Sequence, residues 1–173
     1  TLFSNMTDVR KLRKDGIKAD YLEIGINENI YCDKGPITQI EPIVFFGNNY
    51  KHGYFPLSTF RIQMVDYLKD KYGNAFGVYG NGFEPYCSGN FSHSQPAEAA
   101  AYRGSIIAIN VSHFEYERYS SDRLLRILGT GTPICLAKWY PKIEDDFNDG
   151  IHLRVWKTLG ELHELIEYYM HPA

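Results

Sequence analysis

Short apolar runs alternate with amphipathic helical ones along the chain, and the best of the runs, IVFFG, IIAINV and PICLA, are apolar on both faces. These observations predict an α/β fold: a Rossmann-like three-layer sandwich whose mostly parallel sheet is covered by helices on both sides. The length agrees, because 173 residues can bury a sizeable core yet are too few for two nucleotide-binding-sized domains.

Seven strands are expected, at residues 2–4, 21–25, 43–47, 75–79, 106–111, 133–137 and 151–156. Helices are expected at 7–14, 58–72, 97–103, 121–128 and 159–170, where apolar residues recur at helical spacing. Thr158 followed by Glu161 is a capping box, Ser58 is placed to cap the second helix, and Pro96 suits the first turn of the third. Gly16, Gly73, Gly104 and Gly129 each follow a helix and can end it in the left-handed conformation. The stretch 27–42, with Gly35-Pro36 and Glu41-Pro42, reads as a loop or hinge. It divides an opening strand-helix-strand unit, 1–42, from the main body, 43–173, within one compact domain.

Composition narrows the partners. A net charge of −3 with both signs interspersed offers no electrostatic footprint for nucleic acid or an anionic membrane surface. Cys32, Cys87 and Cys135 are an odd set without C-x-x-C spacing, which suggests a reducing compartment and no zinc site. No apolar run approaches ~18 residues and the first residues lack a signal-peptide pattern, so the chain is expected to have no transmembrane segment and to be cytoplasmic. Thr1 in place of a methionine fits an excised piece or a processed product. The 14 Tyr and 10 Phe can stack a base or sugar, or fill a core. There is no P-loop, G-x-S-x-G elbow or H-E-x-x-H motif, and Glu144, Asp145, Asp146 and Asp149 read as a solvated loop. No metal and no cofactor are expected.

In an open parallel sheet the ligand sits beyond the carboxyl ends of the strands, so residues just after each strand are the candidates. After IVFFG, where Gly47 closes the strand, comes Asn48, and a loop through His52 then leads to the helix carrying Arg61. Arg61 can reach a phosphate or pair with Asp66. After AFGVY, the turn Tyr79-Gly80-Asn81-Gly82-Phe83 can hold a planar base or be a tight glycine turn. After IIAINV, His113 can bond a sugar or phosphate, or sit at the surface.

The segment 119–138, YSSDRLLRILGTGTPICLAK, carries the sharpest signal. It reads as a Ser-rich turn, an amphipathic helix, a Gly-Thr-Gly-Thr-Pro exit and a buried strand. Ser120 and Ser121 stand where the first backbone N–H groups lack partners, so a diphosphate can be received there. Leu124, Leu125, Ile127 and Leu128 form the buried side, with Arg123 and Arg126 opposite. The competing reading is a capped core helix in which Asp122 pairs with Arg126.

Taken in order, IVFFGN, FR-x-x-M-V-x-x-L, FGVYGNGF, AEAAAYRGSIIAINVSH, YSSDRLLRILGTGTPICLAK and the closing HL-x-VW-x-TLGEL resemble the C-terminal, nucleotide-sugar-binding half of a GT-B glycosyltransferase. The likeness is greatest to the spore-maturation-protein-like glycosyltransferases of the group-1 superfamily, and it covers the chain from about Ile43 onward. The resemblance implies a hexosyltransferase-like domain whose donor is a nucleoside diphosphate sugar. Gly47, Asn48, Ser120, Ser121 and Arg123 would hold the diphosphate, with Tyr79, Gly80, Asn81, Phe83 and His113 near the base or sugar. The partner it implies is an N-terminal acceptor-binding domain in the same or another chain, and no catalytic residue is assigned here. One departure stands out: two glutamates that hold the donor ribose in many relatives correspond to Arg118 and Arg126, and arginine can only donate hydrogen bonds. The alternative is a non-catalytic Rossmann-like interaction domain that has lost the donor site. A flavodoxin-like or receiver domain fits the alternation but not the motifs.

Overall fold

Strands rich in Ile, Val and Phe pair wherever both of their faces can be covered, and here they build one central sheet. The computed structural model describes residues 1–32, 34–50, 53–91 and 94–171. A small parallel pair, β1 (Leu2–Phe3) and β2 (Asp20–Tyr21), flanks α1 (Met6–Lys14), whose N-cap Asn5 accepts from the Asp8 amide. The short α2 (Glu28–Tyr31) follows. The main sheet comprises β3 (Ile43–Phe46), β4 (Phe76–Tyr79), β5 (Cys87–Gly89), β6 (Ile107–Asn110), β7 (Ile134–Lys138) and β8 (Arg154–Trp156).

Its spatial order is β5-β4-β3-β6-β7-β8, every neighbouring pair parallel. Numbered within the sheet alone this is 3-2-1-4-5-6, the Rossmann order, in which the winding reverses between β3 and β6. The four residues of β3 are all buried, as are those of β4 and β6, because helices lie on both faces.

Alternate strand residues serve opposite layers. Ile43, Phe45, Phe76, Val78, Ile107 and Ile109 meet Met64 and Leu68 of α3 (Ser58–Tyr72) and Leu162 and Ile166 of α6 (Leu159–Met170). Val44, Phe46, Ala108 and Ala137 meet Ala101 and Tyr102 of α4 (Gln95–Gly104) and Leu124 and Ile127 of α5 (Asp122–Thr130). Among the described residues no helix is long and apolar enough to cross a membrane.

The expected strands and helices are present with shifted ends: the strand expected at 21–25 is only Asp20–Tyr21, whereas the helix expected at 97–103 runs over Gln95–Gly104. The run expected at 151–156 turns before it pairs, leaving Ile151 at 77% exposure, and only Arg154–Trp156 is strand. β5 and α2 escape sequence reading because three and four residues carry no period. The Thr158–Glu161 capping box forms, and Pro96 lies in the first turn of α4 behind the cap Ser94. Ser58 does not cap α3; Leu57 is the N-cap and the Ser58 hydroxyl donates to the Tyr50 carbonyl at 2.8 Å. Gly16 and Gly73 have positive φ, whereas Gly129 stays helical and Gly131 ends α5 at φ 62°. Gly104 serves a close approach instead: a Cβ there would lie 1.9 Å from the Thr38 carbonyl oxygen.

Candidate functional site

The reversal between β3 and β6 opens a crevice at their carboxyl ends, since β3 feeds α3 on one face and β6 feeds α5 on the other. The loops after β3 and β4 are tied together at its edge. The Gly47 amide donates to the Tyr79 carbonyl at 2.8 Å, and the Asn49 amide to the Asn81 carbonyl at 2.8 Å. The Asn48 Oδ1 accepts from the Asn81 amide at 2.9 Å. Gly80 is obligatory here. Its φ is +140°, and a Cβ would stand 2.0 Å from the Gly47 carbonyl oxygen.

Arg61, in the first turn of α3, points under this edge and is fully buried, at 0% exposure. Its Nη1 donates to the Asn48 carbonyl at 2.9 Å and lies 2.7 Å from Nε2 and 2.9 Å from Nδ1 of His113. The guanidinium rests over the Phe45 ring, 4.9 Å from its centroid. Nε and Nη2 have no hydrogen-bond partner. Among the described residues no carboxylate pairs with Arg61, so the pairing with Asp66 that the sequence left open is absent. Gly47 makes room for this side chain: a Cβ at Gly47 would fall 2.2 Å from the Arg61 Nη2.

Burial, and then the neighbouring charge of Arg123, holds the Arg61 pKa down to about 9. His113 is buried rather than at the surface, between the rings of Tyr50 and Phe55 at 5.1 and 4.9 Å. Burial, then Arg61 and Arg123, lowers its pKa to about 3. The imidazole is therefore neutral near pH 7 and able to accept from Arg61. The crevice thus holds two cationic side chains and a neutral histidine. A buried charge of this kind is costly until a counterion arrives.

The start of α5 borders the same place. Ser121 is the N-cap and, like Ser120, is buried. Their hydroxyls are engaged by protein: Ser120 Oγ donates to Glu23 at 2.8 Å, and Ser121 Oγ accepts from Asn110 Nδ2 at 3.0 Å. The serines hold the helix start in place. No acceptor among the described residues takes the amide hydrogens of Ser121 or Asp122. Arg123 stands 4.0 Å from Asp122, close to Arg61 and His113.

Beside the crevice lies a cavity of about 70 Å³, bounded by Gly47, Asn48 and Gly80 and by Arg123, Arg126 and Glu98. Phe46, Tyr79 and Phe91 form its aromatic wall, with ring centroids 4.8 to 5.5 Å apart. The Tyr79 hydroxyl donates to Glu41; burial, then that carboxylate, raises its pKa. Phe83 does not reach the cavity. It is buried edge-on against Phe45 in the α3 and α6 layer, 5.7 Å between centroids, because the loop after β4 crosses the sheet end to that face.

Arg126 makes the expected pair with Asp122 at 2.7 Å and a second, unforeseen one with Glu98 at 2.9 Å. Arg118 is held away by Asp146 and lies over the Tyr21 ring, 4.4 Å from its centroid. It adopts φ 50°. The structure therefore gathers Gly47, Asn48, Arg61, Tyr79, Gly80, Asn81, His113, Arg123 and Arg126 at one end of the sheet. His52 lies outside the described residues. Glu98 was missed, although a lone acid inside the alanine-rich helical run AEAAAYR was the available signal.

Against known proteins, the model of the "Glycosyl transferase-like" family matches residues 61–173. A search of curated protein sequences finds no match. Among solved structures the chain is similar to that titled "Crystal Structure of TarM", with a TM-score of 0.61 and 12% identity over 95% of this chain. It is also similar to "Crystal structure of GtfA/B complex", with a TM-score of 0.56 and 10% identity over 99% of this chain. It spans only 35% and 38% of those chains. The sheet order and these likenesses give the fold, and the family match extends from Arg61 in α3 through the whole of α6: the chain belongs to the glycosyl transferase-like family and forms a Rossmann-like domain of the GT-B architecture.

Proposed function

We propose that this domain binds the nucleoside diphosphate sugar donor of a glycosyltransferase. The observation that carries the reading is Arg61, fully buried at the switch point with Nε and Nη2 unpartnered and no carboxylate beside it among the described residues. A diphosphate supplies the missing negative charge, and Arg123 with the amides at the start of α5 completes the anion site.

The chemistry follows from that placement. As the sugar leaves, negative charge builds on the terminal phosphate; the charge of Arg61, from beneath the crevice edge, and that of Arg123 stabilise it. Two fixed cations can do this without a metal ion, so transfer is proposed to be metal-independent. His113 positions Arg61 by accepting from Nη1. The acceptor and its base are proposed to come from a second domain, since this chain spans little more than a third of the solved chains it resembles.

A nucleotide panel in thermal unfolding tests this. A nucleoside diphosphate at ~100 times its dissociation constant stabilises the protein by ~2.7 kcal/mol, and the shift should persist in EDTA. Indifference to UDP, GDP and ADP alike, at millimolar concentration, defeats the proposal.

A further inference from the structure

The carboxylate of Glu98 is the strangest group beside the crevice. Glu98 is only 6% exposed, in the alanine-rich helix α4. Its Oε2 takes two donors, the Tyr31 hydroxyl at 2.9 Å and Arg126 Nη1 at 2.9 Å. No donor among the described residues takes Oε1, yet that oxygen is absent from the fully buried, unpartnered polar atoms. With one oxygen clamped and the other without a donor among the described residues, Glu98 borders the cavity as a fixed hydrogen-bond acceptor.

The position of that cavity says which donor. It shares Gly47, Asn48 and Arg123 with the anion site, so whatever fills it is joined closely to the phosphates. Its wall of Phe46, Tyr79 and Phe91 offers apolar faces, while Glu98 offers a charged acceptor. Arg126 cannot accept a hydrogen bond from a hydroxyl, but its ion pair with Glu98 fixes the orientation of that carboxylate.

We propose that Glu98 reads the ribose of the bound nucleotide, its Oε1 accepting from the vicinal 2′- and 3′-hydroxyls, with Arg126 and Tyr31 as positioning residues. The inference rests on the donor-site reading above. A carboxylate delivered by α4 then does the work for which the arginine at 126, on α5, is unsuited.

The test is calorimetric titration of the protein with UDP, GDP and ADP and with the 2′-deoxy and 3′-deoxy form of whichever binds. For the native protein at least one deoxy form should bind about tenfold more weakly, the loss of one charge-assisted hydrogen bond. In Glu98→Gln that ratio should shrink to about threefold or less. A role confined to bracing Arg126 weakens every ligand equally and leaves the ratio unchanged, which overturns the inference. So does equal affinity of the native protein for ribose and deoxyribose forms; that comparison needs no variant. If no nucleoside diphosphate binds, the donor-site reading falls along with it. Binding without ribose discrimination overturns this inference alone.

Discussion

The Nη1 of Arg61 lies 2.7 Å from the Nε2 of His113, so a guanidinium from α3 and an imidazole from the end of β6 meet across the point where the sheet reverses. Both are buried, which lowers the affinity of each for a proton, and the charge of Arg61 lowers that of His113 further. The pair is a cationic site with a neutral brace, a state suited to an anion and unfavourable without one.

That imbalance sets opposite expectations for stability and binding. Arg61→Met keeps much of the volume and removes a buried, uncompensated charge. The variant should match or exceed the native protein in urea unfolding while losing at least about tenfold in nucleoside diphosphate affinity. A variant that unfolds more easily and binds normally contradicts the site assignment.

His113 gives a pH dependence whose sign is determined. Its folded pKa, about 3, lies below the ordinary value of 6.5, so the unfolded chain binds the proton more readily. Stability from this group is complete above 6.5 and is lost as pH falls toward 3. Between pH 7.5 and 5 the loss should be up to about 2 kcal/mol. His113→Asn should lessen that acid sensitivity, measured as the difference in urea midpoint between the two pH values.

The two glycines at the crevice edge should behave differently. Gly80→Ala meets rigid backbone, the Gly47 carbonyl, at a positive φ, and should cost at least about 2 kcal/mol in chemical unfolding. Gly47→Ala meets the Arg61 side chain instead. It should cost less stability and act mainly on ligand affinity, by displacing that guanidinium.

A cap far from the crevice separates stability from function. Thr158→Ala removes the side chain that accepts from the Glu161 amide. It should cost about 1 kcal/mol of stability and leave nucleotide affinity unchanged.

The class of fold was legible in the chain because its cause is local. IVFFG, IIAINV and PICLA are apolar on both faces, and such strands require helices on both sides. The Thr158–Glu161 cap and the Asp122–Arg126 pair were equally legible, since their partners lie within one turn of helix. The glycine turns after β3 and β4 were legible too, and they border the cavity at the carboxyl ends of those strands. In the Tyr79–Phe83 segment, Tyr79 and Gly80 border the cavity, whereas the Phe83 ring packs in the opposite layer.

What only the tertiary structure decided is which elements meet. Periodicity tells which side of a helix is buried, but it does not say that α4 stands beside α5 and so brings Glu98 onto Arg126. Nor does it show that Arg61 finds a histidine instead of an acid, because that depends on two strands adjacent in space and distant in sequence. The sequence by itself determined the layers, the order of the main strands and the cationic residues that follow them. Long-range packing decided which charges are paired and which one, Arg61, is left buried and without a counterion among the described residues.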